Sequence, residues 1–485
     1  MRKVMTDVVL VVPPSSKKKE FGLLSGAGAY RPPLNLLNIA AVLLEKGYSV
    51  SVIDGVTKNK GPNEVVRSII ALKPRFIGFT SMTAHIYECG EMAGELHRNL
   101  PETPIIIGGI HISTLPIQTM QLFTSFDIGI VGEGENSVLE LLEGIEKGGD
   151  ISNIAGLVIR TKEGIKLTPP RALIDDLDTL PLPAWHLLPD YIQTYQPTLS
   201  RKSRLPSAYI VTSRGCPCQC SFCNNIVHGR TFRSYSVDYI MKMVAYMVGA
   251  YKVRDLTIYD ENLALKKERI IDFCHRMISA NYDLTWSCDA RVDSIDEEIA
   301  GLMYKAGCRS IWFGMESGNA EILRRYNKRI KLEDSENAVN LTKRYKIRAS
   351  GSFIIGGPGE TRDTIKDTLH FAKRIGLDYF IPYYYTPIPG TADYNIITRY
   401  GNADLDYRSA TMTQPTFAPH GMSFHDIRNW YIRSLLYFYT QPRIVFMMVK
   451  EIGFLNIIKS VFFFLFNVII NVIMTPEYTA KKTEY

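Results

Sequence analysis

SRGCPCQCSFCNN, residues 213–225, puts four cysteines within eight positions: Cys216, Cys218, Cys220 and Cys223. Thiolates are soft ligands that select zinc, copper(I) or iron–sulfur clusters. Cys216, Cys220 and Cys223 form CxxxCxxC, three ligands on one loop. On a four-iron cluster, three ligands leave one iron open for another molecule. Structural zinc takes four ligands, commonly as two separated pairs. The other cysteines, Cys89, Cys274, Cys288 and Cys308, are isolated and supply no second pair. A zinc-stapled binding protein is the rival reading of the loop.

The loop follows an apolar run at 209–212. Further strand-like runs at 256–259, 284–287, 310–313, 350–355 and Tyr379–Tyr384 alternate with helical stretches such as 237–249 and 268–280. Six strand–helix units predict a partial, open parallel barrel over residues 207–400. Upstream, Val8–Val12, 49–54, Phe76–Thr80, 104–107 and 127–131 are short apolar runs separated by helical segments, 34–46 the clearest. That pattern predicts an α/β domain over residues 1–150, a doubly wound parallel sheet that binds ligands at its carboxyl edge. Residues 151–206, which contain LTPPRALIDDLDTLPLPAWHLLP, read as a linker packed on its neighbours. From residue 401 the pattern is helical, ending in the apolar segment 452–474.

At roughly 100–200 residues per domain, the 485 residues hold two to four domains. A content of 46% hydrophobic and 22% charged residues excludes disorder and collagen-like sequence. The net charge of +7 is mild for this length and demands no nucleic acid. Clustered cysteines in a large chain indicate a metal site in a reducing compartment. The apolar run at the N-terminus is too short for a signal sequence, so the expected location is cytoplasmic.

CxxxCxxC with an aromatic residue, Phe222, before its last cysteine, after the first strand of a six-strand partial barrel, resembles the radical S-adenosylmethionine (SAM) superfamily. The resemblance implies a 4Fe–4S cluster on Cys216, Cys220 and Cys223. The open iron would hold the amino and carboxylate groups of SAM, whose reductive cleavage yields a 5′-deoxyadenosyl radical. An external donor of flavodoxin or ferredoxin type is implied as the electron source. Cys218 departs from the pattern and is taken as a non-ligand. The SAM contacts implied are Phe222, then Asp260, Glu261 and Asn262 after the second strand, and Glu316 in GMESG after the fourth. Ser352 and Ile354, within GSFIIGGPGET, would run along the adenine. Without a ligand, an acid at a strand end serves as a cap and glycines serve turns.

In the first domain TSMT (80–83), GGIH (108–111) and GEGE (132–135) follow the third, fourth and fifth strands. Paired glycines make room for a bulky group and hydroxyls offer hydrogen bonds, though plain strand-to-helix turns need no ligand. No GxGxxG follows the first strand, so a dinucleotide fingerprint is absent. With the barrel, residues 1–400 resemble the cobalamin-binding radical SAM subfamily, which includes methylases of unactivated carbon and the anaerobic magnesium-protoporphyrin monomethyl ester cyclase. The resemblance implies a cobalamin cavity lined by Ser81, Thr83, Gly108, Gly109, Gly132 and Gly134. The cobalt-ligating DxHxxG of mutases is missing, and His85 and His111 lack its spacing. Cobalamin without a protein histidine ligand is therefore expected. The implied activity is methylation, one SAM charging cobalamin and a second yielding the radical; an oxidative cyclase is the alternative.

Tyr383, Tyr384 and Tyr385, at the end of the sixth strand, are candidates to line a small-molecule substrate cavity, or serve as ordinary barrel-mouth aromatics. In the segment 452–474, Lys459 interrupts the apolar run, and Asn456, Asn467 and Asn471 are costly in lipid. An interfacial helix flanked by Arg443, Lys450, Lys481 and Lys482 would give peripheral contact with anionic lipid and suit a hydrophobic substrate. A buried helix and a membrane span are the alternatives.

Overall fold

The computed structural model describes residues 6–26, 28–57 and 60–456. The N-terminal sheet holds β1 (Val8–Val12), β2 (Val50–Asp54), β3 (Phe76–Thr80), β4 (Ile105–Gly108), β5 (Ile128–Ile130), β6 (Leu157–Thr161) and β7 (Gly164–Leu167), ordered β2-β1-β3-β4-β5-β6-β7. Its first five strands run parallel. Continuous apolar strands arise because alternate residues feed two cores. Val9, Val11, Ile77 and Phe79 enter one, and Val8, Leu10, Phe76 and Ile106 the other.

The hairpin β6–β7 lies in the stretch expected to be a linker. Leu157, Val158 and Ile159 are buried by antiparallel pairing with β5, while β7 is an exposed edge carrying Lys166. Only three buried residues mark it, which is too little periodicity to stand out among prolines and acids.

The second unit contains β8 (Ser207–Ile210), β9 (Ser213–Arg214), β10 (Arg233–Ser234), β11 (Asp255–Ile258), β12 (Thr285–Ala290), β13 (Cys308–Glu316), β14 (Arg348–Ile355) and β15 (Tyr379–Tyr384). Six of these form a parallel sheet ordered β15-β14-β13-β12-β11-β8, while β9 and β10 make a short antiparallel pair beside it. Leu256, Ile258, Trp286, Ile311, Phe313 and Phe353 join the helices in the main core. Their strand neighbours, Thr257, Ser287, Asp289, Trp312 and Ser352, face the opposite way, into the lumen. The end of the linker crosses the amino-terminal ends of the strands. Ser310 Oγ donates to Ser200 O at 2.7 Å, Arg348 Nη2 to Lys202 O at 2.8 Å, and Ser203 N to Asp255 Oδ2 at 3.3 Å. That crossing is the floor of the barrel.

Beyond residue 400 a small hairpin, β16 (Gly401–Ala403) with β17 (Phe417–Pro419), precedes the expected helices Phe424–Tyr439 and Pro442–Ile452. The first of these packs on the barrel: Phe438 stacks on Phe380 at 5.4 Å and Tyr439 Oη donates to Phe380 O at 2.9 Å. No helix among the described residues is long and apolar enough to cross a membrane. Most of the expected apolar helix, from residue 457 on, lies outside the described residues.

Candidate active site

The cysteine loop leaves β8 at a position set by Asp260. This carboxylate accepts from Thr212 N at 2.6 Å, Thr212 Oγ1 at 2.5 Å, Ser213 N at 3.2 Å and Ser213 Oγ at 2.7 Å. At Gly215, φ is +80° and a Cβ would sit 2.3 Å from Thr231 O, so only glycine turns the chain here. Asn225 then closes the loop, donating to Cys216 O at 3.2 Å and accepting from Cys223 Sγ at 3.1 Å. Outside supports hold it: Ser221 N donates to Tyr326 O at 2.9 Å, Ser221 Oγ to Asp393 Oδ2 at 2.8 Å, and Asn327 Nδ2 to Gln219 O at 2.7 Å. Phe222 meets Tyr326 edge-on at 5.5 Å.

The thiols suit a metal cluster. Burial pushes Cys216 up to about 11 and Cys223 up to about 12, and Cys223 feels the charges of Cys216 and Cys220. Such thiols stay neutral until a metal displaces their protons. Lys328 and Arg291 lie near Cys220, where their charges would offset that of a bound cluster.

Glu316 ends β13 after a register irregularity, with φ at +64°, and its Oε1 lies 2.7 Å from Lys328 Nζ. Both side chains are buried. A non-glycine residue in this region stores strain of about 1–3 kcal/mol, a common feature of functional sites. Glu261 is exposed at the same end, and its charge bears on Cys216 and Cys223. Asn262 turns away, donating to Ser294 Oγ at 3.2 Å and accepting from Arg291 N at 3.3 Å. Ser352 Oγ donates to Phe313 O at 3.3 Å, while Ile354 packs with Tyr326, Tyr385 and Phe417. The three cysteines, Glu261 and Glu316 therefore share one end of the barrel. Asp260 and Asn262 are committed to supporting it.

Of the three tyrosines, only Tyr383 faces the lumen, 36% exposed. Tyr384 stacks on Tyr431 at 4.2 Å on the outer side, because successive strand residues point to opposite faces. Tyr385 lies beyond the strand, buried edge-on against Phe417 at 5.3 Å. The expectation of three lining tyrosines reduces to one.

On the N-terminal sheet the six expected cavity residues divide. A Cβ on Gly132 would meet nothing within 4 Å, and one on Gly108 only Phe79 O at 3.7 Å, so both keep an open space at the carboxyl edge. That space is one a bulky cofactor can fill. On Gly109, at φ +101°, a Cβ would lie 2.7 Å from Ser81 O, and on Gly134 2.9 Å from Ile39. Both of these serve close packing. Ser81 Oγ donates to Met82 O at 2.8 Å, and Thr83 Oγ1 contacts His111 Nδ1 at 3.3 Å. Burial brings His111 down to about 4, with its ring edge-on to Tyr407 at 4.9 Å. His85 Nε2 lies 2.8 Å from Glu20 Oε1.

GEGE also supplies two acids that a reading focused on its glycines misses. Glu133 pairs with Arg214 at 2.8 Å and Arg233 at 2.9 Å, and Glu135 with Arg214 at 2.6 Å, all buried between the two units. The signal was available: acids alternating with glycine at a strand end are placed to meet a cation, and Arg214 stands two residues before Cys216.

A radical SAM superfamily profile matches residues 210–372, and a B12 binding domain profile matches residues 23–142. An uncharacterized methyltransferase of Pyrococcus horikoshii is 30% identical over 450 residues, covering 91% of this chain and 94% of that one. The anaerobic magnesium-protoporphyrin IX monomethyl ester cyclase of Rubrivivax gelatinosus is 27% identical over 365 residues, covering 74% and 65%. Among solved structures, the radical SAM methyltransferase TsrM of Kitasatospora setae, with cobalamin and a 4Fe–4S cluster bound, superimposes with a TM-score of 0.64 at 21% identity, covering 81% and 78%. The chain belongs to the cobalamin-binding radical SAM family and is an enzyme whose cofactors are a 4Fe–4S cluster, SAM and cobalamin.

Proposed function

We propose that this enzyme transfers a methyl group to an unactivated carbon of a small molecule held in the barrel lumen. The carrying observation is the buried pairing of Glu133 with Arg214, which holds the open carboxyl edge of the first sheet against the cysteine loop. Methyl transfer is favoured over cyclisation because a relative matched over nearly the whole of both chains is described as an uncharacterized methyltransferase.

Cys216, Cys220 and Cys223 would hold the cluster, with Cys218 outside the ligand set. Phe222, Glu261 and Glu316 would orient SAM, with Ser352 and Ile354 beside its adenine. Gly108 and Gly132 would leave room for cobalamin, and Ser81, Thr83, Gly109 and Gly134 would shape the turns around it. When bound, these cofactors supply reductive SAM cleavage and a methyl carrier. The chain's own work is to orient the groups and exclude water. Lys328 keeps Glu316 in place, Asp260 sets the loop, and Tyr383 lines the lumen. An external electron-donor protein of flavodoxin or ferredoxin type would reduce the cluster; the cavity beside Cys218 mixes Lys267, Arg291 and Arg329 with Asp293 and Asp296. Exposed Phe446, Phe454 and Leu455 lead into residue 457 and support peripheral contact with anionic lipid, which liposome flotation of the full chain would test.

The test uses SAM carrying a deuterated methyl group, the anaerobically reconstituted enzyme and a cellular small-molecule extract. Mass spectrometry should find a product carrying the label. A product that gains a ring or loses hydrogen without label would establish the cyclase reading instead.

A further inference from the structure

The lumen of the barrel is charged. Arg201 rises from the floor segment, its guanidinium 4.0 Å from the ring centroid of Trp312 and 5.4 Å from that of Tyr259. Its Nη2 lies 2.7 Å from Asp289 Oδ1 on β12, and its side chain is only 10% exposed. Its Nη1 is buried with no hydrogen-bond partner, and Asp289 Oδ1, although close to Nη2, likewise accepts no hydrogen bond. Arg31 arrives from the N-terminal unit, stacks 4.5 Å from the same Tyr259 ring and donates to that phenol oxygen. No carboxylate among the described residues pairs with Arg31. Two guanidinium groups therefore face one carboxylate, leaving one positive charge in excess. The charges of both arginines, Asp289 and Glu316 all bear on Tyr383 in the lumen.

From this geometry we propose that the substrate carries an anionic oxygen group, carboxylate or phosphate, which Arg201 binds in the lumen and Arg31 covers at its mouth. This names the substrate class for the methyl-transfer reading and rests on that reading's use of the lumen. A buried guanidinium N–H without an acceptor is costly, and a planar fork of donors matches carboxylate and phosphate oxygens. If Arg201 served only as a structural plug, Asp289 would suffice as its partner and the second arginine would add only repulsion. Trp312, Tyr259 and Tyr383 supply aromatic faces for the body of the molecule. A plain hydrocarbon chain would cover Arg201 Nη1 without accepting from it, so the hydrophobic substrate class expected from the C-terminal segment fits poorly unless it ends in an acid.

The test is calorimetric titration of the reconstituted enzyme, in the presence of SAM, with 3-phenylpropionate, phenyl phosphate and the neutral methyl ester of 3-phenylpropionate. At least one acid should bind about tenfold or more tighter than the ester. Which acid binds distinguishes carboxylate from phosphate. Arg201→Met should remove that preference. Arg31→Gln, at an exposed site with little risk to folding, should reduce it, with iron content and SAM affinity unchanged in both. Equal binding of acids and ester, no binding of either acid, or a preference that survives in Arg31→Gln and a folded Arg201→Met would overturn the proposal. Labelled methyl transfer is a separate readout, so failure of that reaction would not be mistaken for failure of anion binding.

Discussion

Glu133 Oε1 lies 2.8 Å from Arg214 Nη1 in the buried seam between the two units. Glu133 follows β5, at the carboxyl edge of the first sheet, and Arg214 stands two residues before Cys216. One ion pair therefore ties the carboxyl edge of the first sheet to the cysteine loop. Burial alone would raise the Glu133 carboxyl. Hydrogen bonds from His228, Arg233 and Arg214 outweigh it and hold the group well below the usual carboxylate range.

Glu133→Gln should leave Arg214 and Arg233 undercompensated, at a cost of about 3–5 kcal/mol. Denaturant unfolding measures the loss, and iron retention should fall with it. A folded-state pKa below the ordinary value means that Glu133 contributes stability above about pH 4.5, lost as pH falls through its depressed pKa. The variant should lack that part of the acid limb. Unchanged stability and iron content would show that the pair is incidental.

Gly108 and Gly109 are neighbours with different tasks. Gly108→Phe should block uptake of hydroxocobalamin, read from its visible absorbance, while iron content stays normal. Gly109→Ala should cost roughly 1–3 kcal/mol, because φ is +101° and its Cβ meets the Ser81 backbone. Equal effects of the two substitutions on cobalamin uptake and stability would contradict this division.

Glu360 ends the loop after β14, accepting from Gly356 N at 2.6 Å and Gly357 N at 2.9 Å. Burial pushes it up to about 8 from an ordinary 4.5. The native state therefore holds a proton that the unfolded state gives up, and this contribution to stability, full below pH 4.5, is lost as pH rises to about 8. Glu360→Gln can still accept from both amides, so its gain over wild type should grow between pH 5 and pH 8, by on the order of 3–5 kcal/mol. Parallel stability profiles for the two proteins would refute the shift.

Much of this architecture was legible before any coordinates. Phe76–Thr80 and Tyr379–Tyr384 are strands at the residues expected, since short apolar runs bounded by turns leave little choice. The hairpin β6–β7 was not legible, because its exposed partner strand carries no pattern of its own. Asp260 shows the limit at the site. An acid after a strand reads as a cofactor ligand, yet pairing of Ile258 with Ile210 brings Thr212 and Ser213 onto both of its oxygens. That use depends on a contact between strands 48 positions apart, which no local spacing reveals. Tyr384 was lost for a simpler reason: it follows Tyr383 in the strand, and consecutive strand residues cannot both face one lumen.

The central claim is that Cys216, Cys220 and Cys223 carry a redox cluster that cleaves SAM. The most direct measurement is 5′-deoxyadenosine released per protein, with iron content, after anaerobic reconstitution and reduction. Wild type and Cys218→Ala should hold about four irons and release 5′-deoxyadenosine, while alanine at Cys216, Cys220 or Cys223 should abolish release. Zinc without iron, or release that survives loss of Cys216 but not of Cys218, would contradict the account.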